Sequence, residues 1–169
     1  MDITLIFVTQ FVLSLVGVGL LARWYAAPWL AEKSLEVALM ALIAPHAFRH
    51  LGLAFLVPAL NQPGMPLEFA TLAAYGDLLS GILALVVLIA LRHGWAMAIP
   101  LAWMFSIVGL ADLGNALRQD GAILYMGATW FIPTFVVPLL LVTHVMVIAR
   151  LVTNAKGLLI PGVGGAAQQ

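Results

Sequence analysis

Five stretches of this 169-residue chain stay apolar for roughly 20 residues or more, the length a helix needs to cross the hydrocarbon core of a bilayer. They cover about residues 3–22, 35–60, 67–91, 95–117 and 123–152. At that depth no water satisfies backbone polar groups, so each stretch must close its own hydrogen bonds as a helix. The alternation expected of a transmembrane barrel is absent. Composition agrees, with 64% hydrophobic residues and 8% charged, where an average soluble domain carries about a quarter charged. The chain is therefore read as an all-α polytopic membrane protein, a five transmembrane helix bundle. One domain is expected over 1–159, followed by a flexible tail over 160–169.

The breaks between the runs carry strong turn chemistry. Asn61-Gln62-Pro63-Gly64 separates the second from the third, Arg92-His93-Gly94 the third from the fourth, and Arg118-Gln119-Asp120-Gly121 the fourth from the fifth. The segment Arg23–Ser34, with Pro28, is expected as a loop or a short interfacial helix. Ser34 is placed to cap the second span and Glu36 lies in its first turn. Met1-Asp2 is acidic where a secretion signal is basic, so the first run is read as a retained span.

Basic residues set the expected orientation. In a five-span arrangement Arg23, Lys33, Arg92, Arg150 and Lys156 share one side, while Arg118 stands alone among basic residues on the other. The positive-inside rule then gives an N-out/C-in protein, multi-pass in a bacterial inner membrane. Trp24, Tyr25, Trp29 and Trp95 gather at the proposed inner boundary, where amphipathic rings settle.

Composition also excludes chemistry. The chain has no cysteine, so disulfides, thiolate nucleophiles and iron–sulfur clusters are ruled out. Zero net charge and the absence of a basic block argue against nucleic acid as a partner. No phosphate loop or nucleophile elbow is present. The reading favours a binding or transport role over an enzyme.

The second run contains His46, Arg49 and His50 within five residues of one another. An α-helix brings positions i, i+3 and i+4 onto one face, so all three are expected to point together. A charged group near the bilayer centre costs at least about 2.5–3.5 kcal/mol, so that face should meet a partner or a water-filled cavity. Arg49 stays protonated and needs a carboxylate. Asp77 in the third run lies at nearly equal depth and is the first choice, with Asp112 in the fourth as the second.

These residues define an expected polar pocket for a small or amphipathic ligand, or for a proton or ion. Arg49 is its anchor, Asp77 and Asp112 the counter-ions, His46 and His50 the titrating groups, whose protonation would compete with Arg49 for the carboxylates. Trp130 and Thr134 on the fifth span supply a wall, and Asn115 a hydrogen-bond partner. Pro45, Pro133 and Pro138 are expected to kink the second and fifth spans apart around that pocket. Gly76, Ser80 and Ala84, and likewise Ser106, Gly109 and Asp112, form small-residue seams along which helices approach closely.

Two other readings stand beside this one. A metal ion could be held by His46, His50 and His144, or a haem by His46 with His144, making a redox or metal protein. HxxxH alone is a weak signal, Ala47 stands where a zinc-protease helix carries glutamate, and Arg49 repels a cation. Alternatively the charged residues only pin helices together, in an oligomer or as a structural or assembly subunit of a larger membrane complex. In every reading the lipid bilayer is a partner.

Overall fold

The computed structural model describes residues 2–159, and the tail expected over 160–169 lies outside them. Five helices are long and apolar enough to cross a membrane: α1 (Ile3–Ala31), α2 (Leu35–Leu56), α3 (Leu67–Arg92), α4 (Ala98–Leu117) and α5 (Ala128–Ala155). The protein is a multi-pass membrane protein by helix length and composition.

Local chemistry explains where these helices start. The Asp2 carboxylate accepts from the Thr4 N–H at 3.0 Å at the head of α1. Ser34 Oγ accepts from the Val37 N–H at 3.4 Å at the head of α2. Gly94, with φ of +64°, turns the chain between α3 and α4.

The expected break after residue 22 does not occur. The helix runs on through Pro28 because a π turn over Ala22–Ala26 precedes it, with the Ala27 N–H reaching back to the Ala22 carbonyl. α5 repeats the device: a π turn over Ile132–Val136 stands just before Pro138, and the Val137 N–H reaches Ile132. Proline collides with the carbonyl four residues earlier and cannot donate to it. One extra residue in the preceding turn moves that carbonyl aside, so the helix bends without ending. At the other expected boundaries the changes are smaller. α4 opens at Ala98, three residues later than expected, and α5 is preceded by a 3-10 segment over Asp120–Tyr125.

α2 departs most from expectation. It is α-helical over Leu35–Ile43 and then becomes a 3-10 helix over the thirteen residues Ala44–Leu56. Such runs seldom exceed three or four residues, and longer ones mark strain or function. Pro45 sits at its entry. At its exit Asn61 Nδ2 donates to the carbonyls of Ala54, Phe55 and Val57 at 3.0–3.1 Å, satisfying acceptors that the end of the helix leaves open.

α2, α3, α4 and α5 form a four-helix core, and α1 packs on the outside of α5. No residue of Ile3–Leu21 is buried, so α1 gives its apolar surface mainly to lipid. Within the core, polar residues form a layer between two apolar ones. One apolar cluster holds Leu39, Leu42, Val87, Phe105 and Val147, and the other holds Phe55, Phe69, Ala70 and Ala73, while Leu113, Val137 and Leu140 form a third, smaller one against Phe11. His46, Arg49, Ser80, Ser106 and His144 are buried between the first two along each span.

Candidate functional site

The 3-10 geometry decides which side chains enter the polar layer. With three residues per turn, positions i and i+3 eclipse, while i+4 is rotated by about 120°. The buried residues of this segment are His46, Arg49, Gly52 and Phe55, a strict three-residue repeat. His50 falls off that line and is exposed, its Nδ1–H donating to the Ala47 carbonyl at 3.1 Å. The expectation that His46, Arg49 and His50 share one face is therefore corrected, because it assumed α-helical rotation.

Arg49 is 2% exposed and lies at the centre of the layer. Its Nε donates to Asp77 Oδ1 at 2.7 Å and its Nη2 to Asp112 Oδ2 at 2.5 Å, so both carboxylates engage it at once. Nη1 donates to the Gly109 carbonyl at 3.3 Å. Three faces of the guanidinium are thus held by two different helices. The fork geometry suits arginine and would not be reproduced by the point charge of lysine.

Glycines make the room. A Cβ at Gly52 would fall on the Asp77 carboxylate, and one at Gly76 on the Asp112 carboxylate. One at Gly109 would stand 2.6 Å from His144 Nε2 and 3.0 Å from Arg49 Nη1. Close approach of backbone to charged group, not turn geometry, is what these three positions require.

Behind the guanidinium lies an aromatic group. The His46 and His144 rings meet at 4.2 Å between centroids, and Phe105 stacks on His144 at 4.9 Å. The Thr143 hydroxyl donates to the Leu139 carbonyl at 2.9 Å, so at 2.9 Å it accepts from His46 Nε2–H. His46 Nδ1, both nitrogens of His144, Ser80 Oγ and Ser106 Oγ are buried without a partner. Among the described residues neither imidazole contacts a carboxylate, and no group of three or more metal-ligating side chains converges. His50 points away from His46, so this pair does not chelate. His46 and His144 touch ring to ring, which leaves no gap for a haem between them.

The other expected pocket residues are dispersed. Trp130 Nε1–H donates to Gln10 Oε1 at 2.6 Å and packs edge-on against Phe7, fastening α1 to α5. Thr134 is buried, its hydroxyl turned back to the Trp130 carbonyl at 2.8 Å, as serine and threonine do near bent helix turns. Asn115 is exposed. Asn61, read from sequence only as a turn residue, is a junction instead: besides capping α2, its Oδ1 accepts from Thr129 Oγ1 at 2.7 Å. Gln10 and Asn61 carry amide side chains in or beside apolar runs, and that is the signal which could have found them.

A cavity of about 90 Å³ opens on the carboxylates. Its walls include Phe7 of α1, Phe55 of α2, Phe69 of α3, Ala116 of α4 and Pro133 of α5, so all five spans bound it. A second, smaller cavity of about 40 Å³ lies between the second and fifth spans, where Arg49 and Gly52 face Ile132 and Leu140. Asp77 and Asp112, each with a side chain 13% exposed, supply the charged wall of the larger cavity, and Arg49 stands behind them without lining it.

No curated protein and no solved structure matches the chain. A family model described as a domain of unknown function (DUF8737) matches residues 6–152, which take in all of the charged cluster and nearly all of the five spans. The chain belongs to the DUF8737 family.

Proposed function

We propose that this protein binds a small amphipathic molecule within the membrane, in the cavity that Asp77 and Asp112 close on one side. The observation that carries the reading is the meeting of two carboxyl side chains with a void lined, apart from Gln119, by apolar residues. Ligand sites combine that kind of apolar lining with a few fixed polar groups. Burying charge in a membrane interior is costly, and ionisable residues there more often serve a pathway or ligand than packing alone. At about 90 Å³ the space is smaller than the roughly 150 Å³ void that takes one benzene, so the bound portion is a head with a few carbons.

In this reading Arg49 is not the ligand's anchor. It holds the two carboxylates in place, a preorganised second charge that lets Asp77 and Asp112 face an apolar space. His46 braces the α2–α5 contact through Thr143. The distribution of basic residues further supports an N-out/C-in arrangement, which sets the pocket in the outer half of a bacterial inner membrane.

The chain lacks cysteine, so single-cysteine variants are unambiguous. Ala116→Cys places a thiol in the cavity wall, and Ala102→Cys places one in the filled core. In lipid nanodiscs the first should react with methyl methanethiosulfonate at least tenfold faster than the second. Equal protection of both thiols would discard the pocket.

A further inference from the structure

The charge count of the cluster does not close. One guanidinium meets two carboxylates, and among the described residues no other cation contacts either of them. Each carboxylate gives one oxygen to Arg49: Oδ1 of Asp77 and Oδ2 of Asp112. The facing imidazoles do not help, since His46 Nε2 is committed to Thr143 and His144 makes no hydrogen bond. The remaining charged or titratable side chain of this part of α2, His50, is exposed and lies off the buried line of His46 and Arg49. With both carboxylates ionised, one negative charge stands over at the wall of a largely apolar cavity.

The placement of Arg49 gives that charge a direction. The cavity meets Asp77 and Asp112, while the guanidinium lies behind them. An entering molecule thus encounters acceptors and net negative charge first. Phe7, Phe55 and Phe69 line the same space, and aromatic faces attract a cation as well as an alkyl group. An anion would meet two like charges with only the neutral Gln119 amide to set against them, and a neutral alcohol would leave the extra charge uncompensated.

We propose that the ligand is an organic cation, a small amine carried as its ammonium ion, whose N–H groups donate to Asp77 and Asp112 and whose short carbon chain lies against Phe55 and Phe69. This inference rests on the pocket reading above and adds the chemical class of the occupant. The ammonium completes the charge balance that Arg49 leaves at one negative, so a lone neutral head of the same size binds more weakly.

The test uses three probes of matched length, n-butylammonium, n-butanol and butyrate, on the full-length Ala116→Cys protein in nanodiscs. Each is titrated for protection of the thiol against methyl methanethiosulfonate, with empty nanodiscs correcting for partition into lipid. n-Butylammonium should half-protect at a concentration at least tenfold below n-butanol, and butyrate should not protect. Adding Asp112→Asn, or Asp77→Asn in its place, should bring n-butylammonium to within twofold of n-butanol. Equal protection by n-butanol, or stronger protection by butyrate, overturns the cation class and leaves the pocket standing. A thiol that never reacts removes the pocket itself, and this inference with it.

Discussion

Gly109 and Arg49 meet twice: the Gly109 carbonyl accepts from Nη1 at 3.3 Å, and the missing Cβ leaves the space in which that same nitrogen sits. The guanidinium is therefore held by backbone as well as by carboxylates. Its position is set by helix approach, and helix approach is set by glycine.

Removal of the central charge should be the most damaging change to this cluster. Arg49→Met leaves Asp77 and Asp112 facing each other unpaired, and loss of one member of a buried ionic group costs about 3–5 kcal/mol. Asp112→Asn instead leaves one guanidinium with one carboxylate, and exchanging a charged for a neutral hydrogen bond costs about 1–2 kcal/mol. Unfolding midpoints in a mild detergent should follow that order. An Arg49→Met protein as stable as Asp112→Asn would show that the two carboxylates do not depend on the guanidinium.

The glycine seam predicts a position-specific pattern. Gly76→Ala drives a methyl into the Asp112 carboxylate, and Gly109→Ala drives one against His144 and Arg49. Overpacking of this kind costs about 1–3 kcal/mol. Gly114 has nothing within 4 Å of the corresponding position, so Gly114→Ala should gain about 0.5–1 kcal/mol from helix propensity. Thermal unfolding of the three variants reads the contrast, and a loss at Gly114 equal to that at Gly76 would contradict the close approach.

The two histidines of the second span should behave differently. His46→Ala removes a fully buried ring, leaves a void beside Phe105 and strips Thr143 of a donor, and is expected to destabilise by about 1–3 kcal/mol. His50→Ala touches an exposed position and should stay within about 0.5 kcal/mol. Equal losses would restore the α-helical rotation and remove the basis for the three-residue repeat.

The lengths of apolar sequence between turn signals were enough to determine that this chain forms five bilayer-length helices, because backbone hydrogen bonding without water permits little else. That Arg49 must meet carboxylates was equally legible, since a buried guanidinium cannot shed its proton. Asp77 at its depth and Asp112 on the fourth span were the available carboxylates, but local sequence could not tell that both bind it together. That depends on how closely three helices approach at Gly52, Gly76 and Gly109, a distance set across the bundle. The rotation of His50 out of the layer was likewise hidden. Periodicity assumes 100° per residue, and only packing against α3, α4 and α5, with Asn61 capping the far end, holds residues 44–56 in the tighter 3-10 turn. Trp130 and Thr134 share a stripe in sequence, yet one reaches Gln10 of α1 and the other its own helix. Sequence spacing thus decided which residues had to be buried or paired, and tertiary packing decided which partner each one found, because rotation and separation of helices belong to the whole bundle and not to any single span.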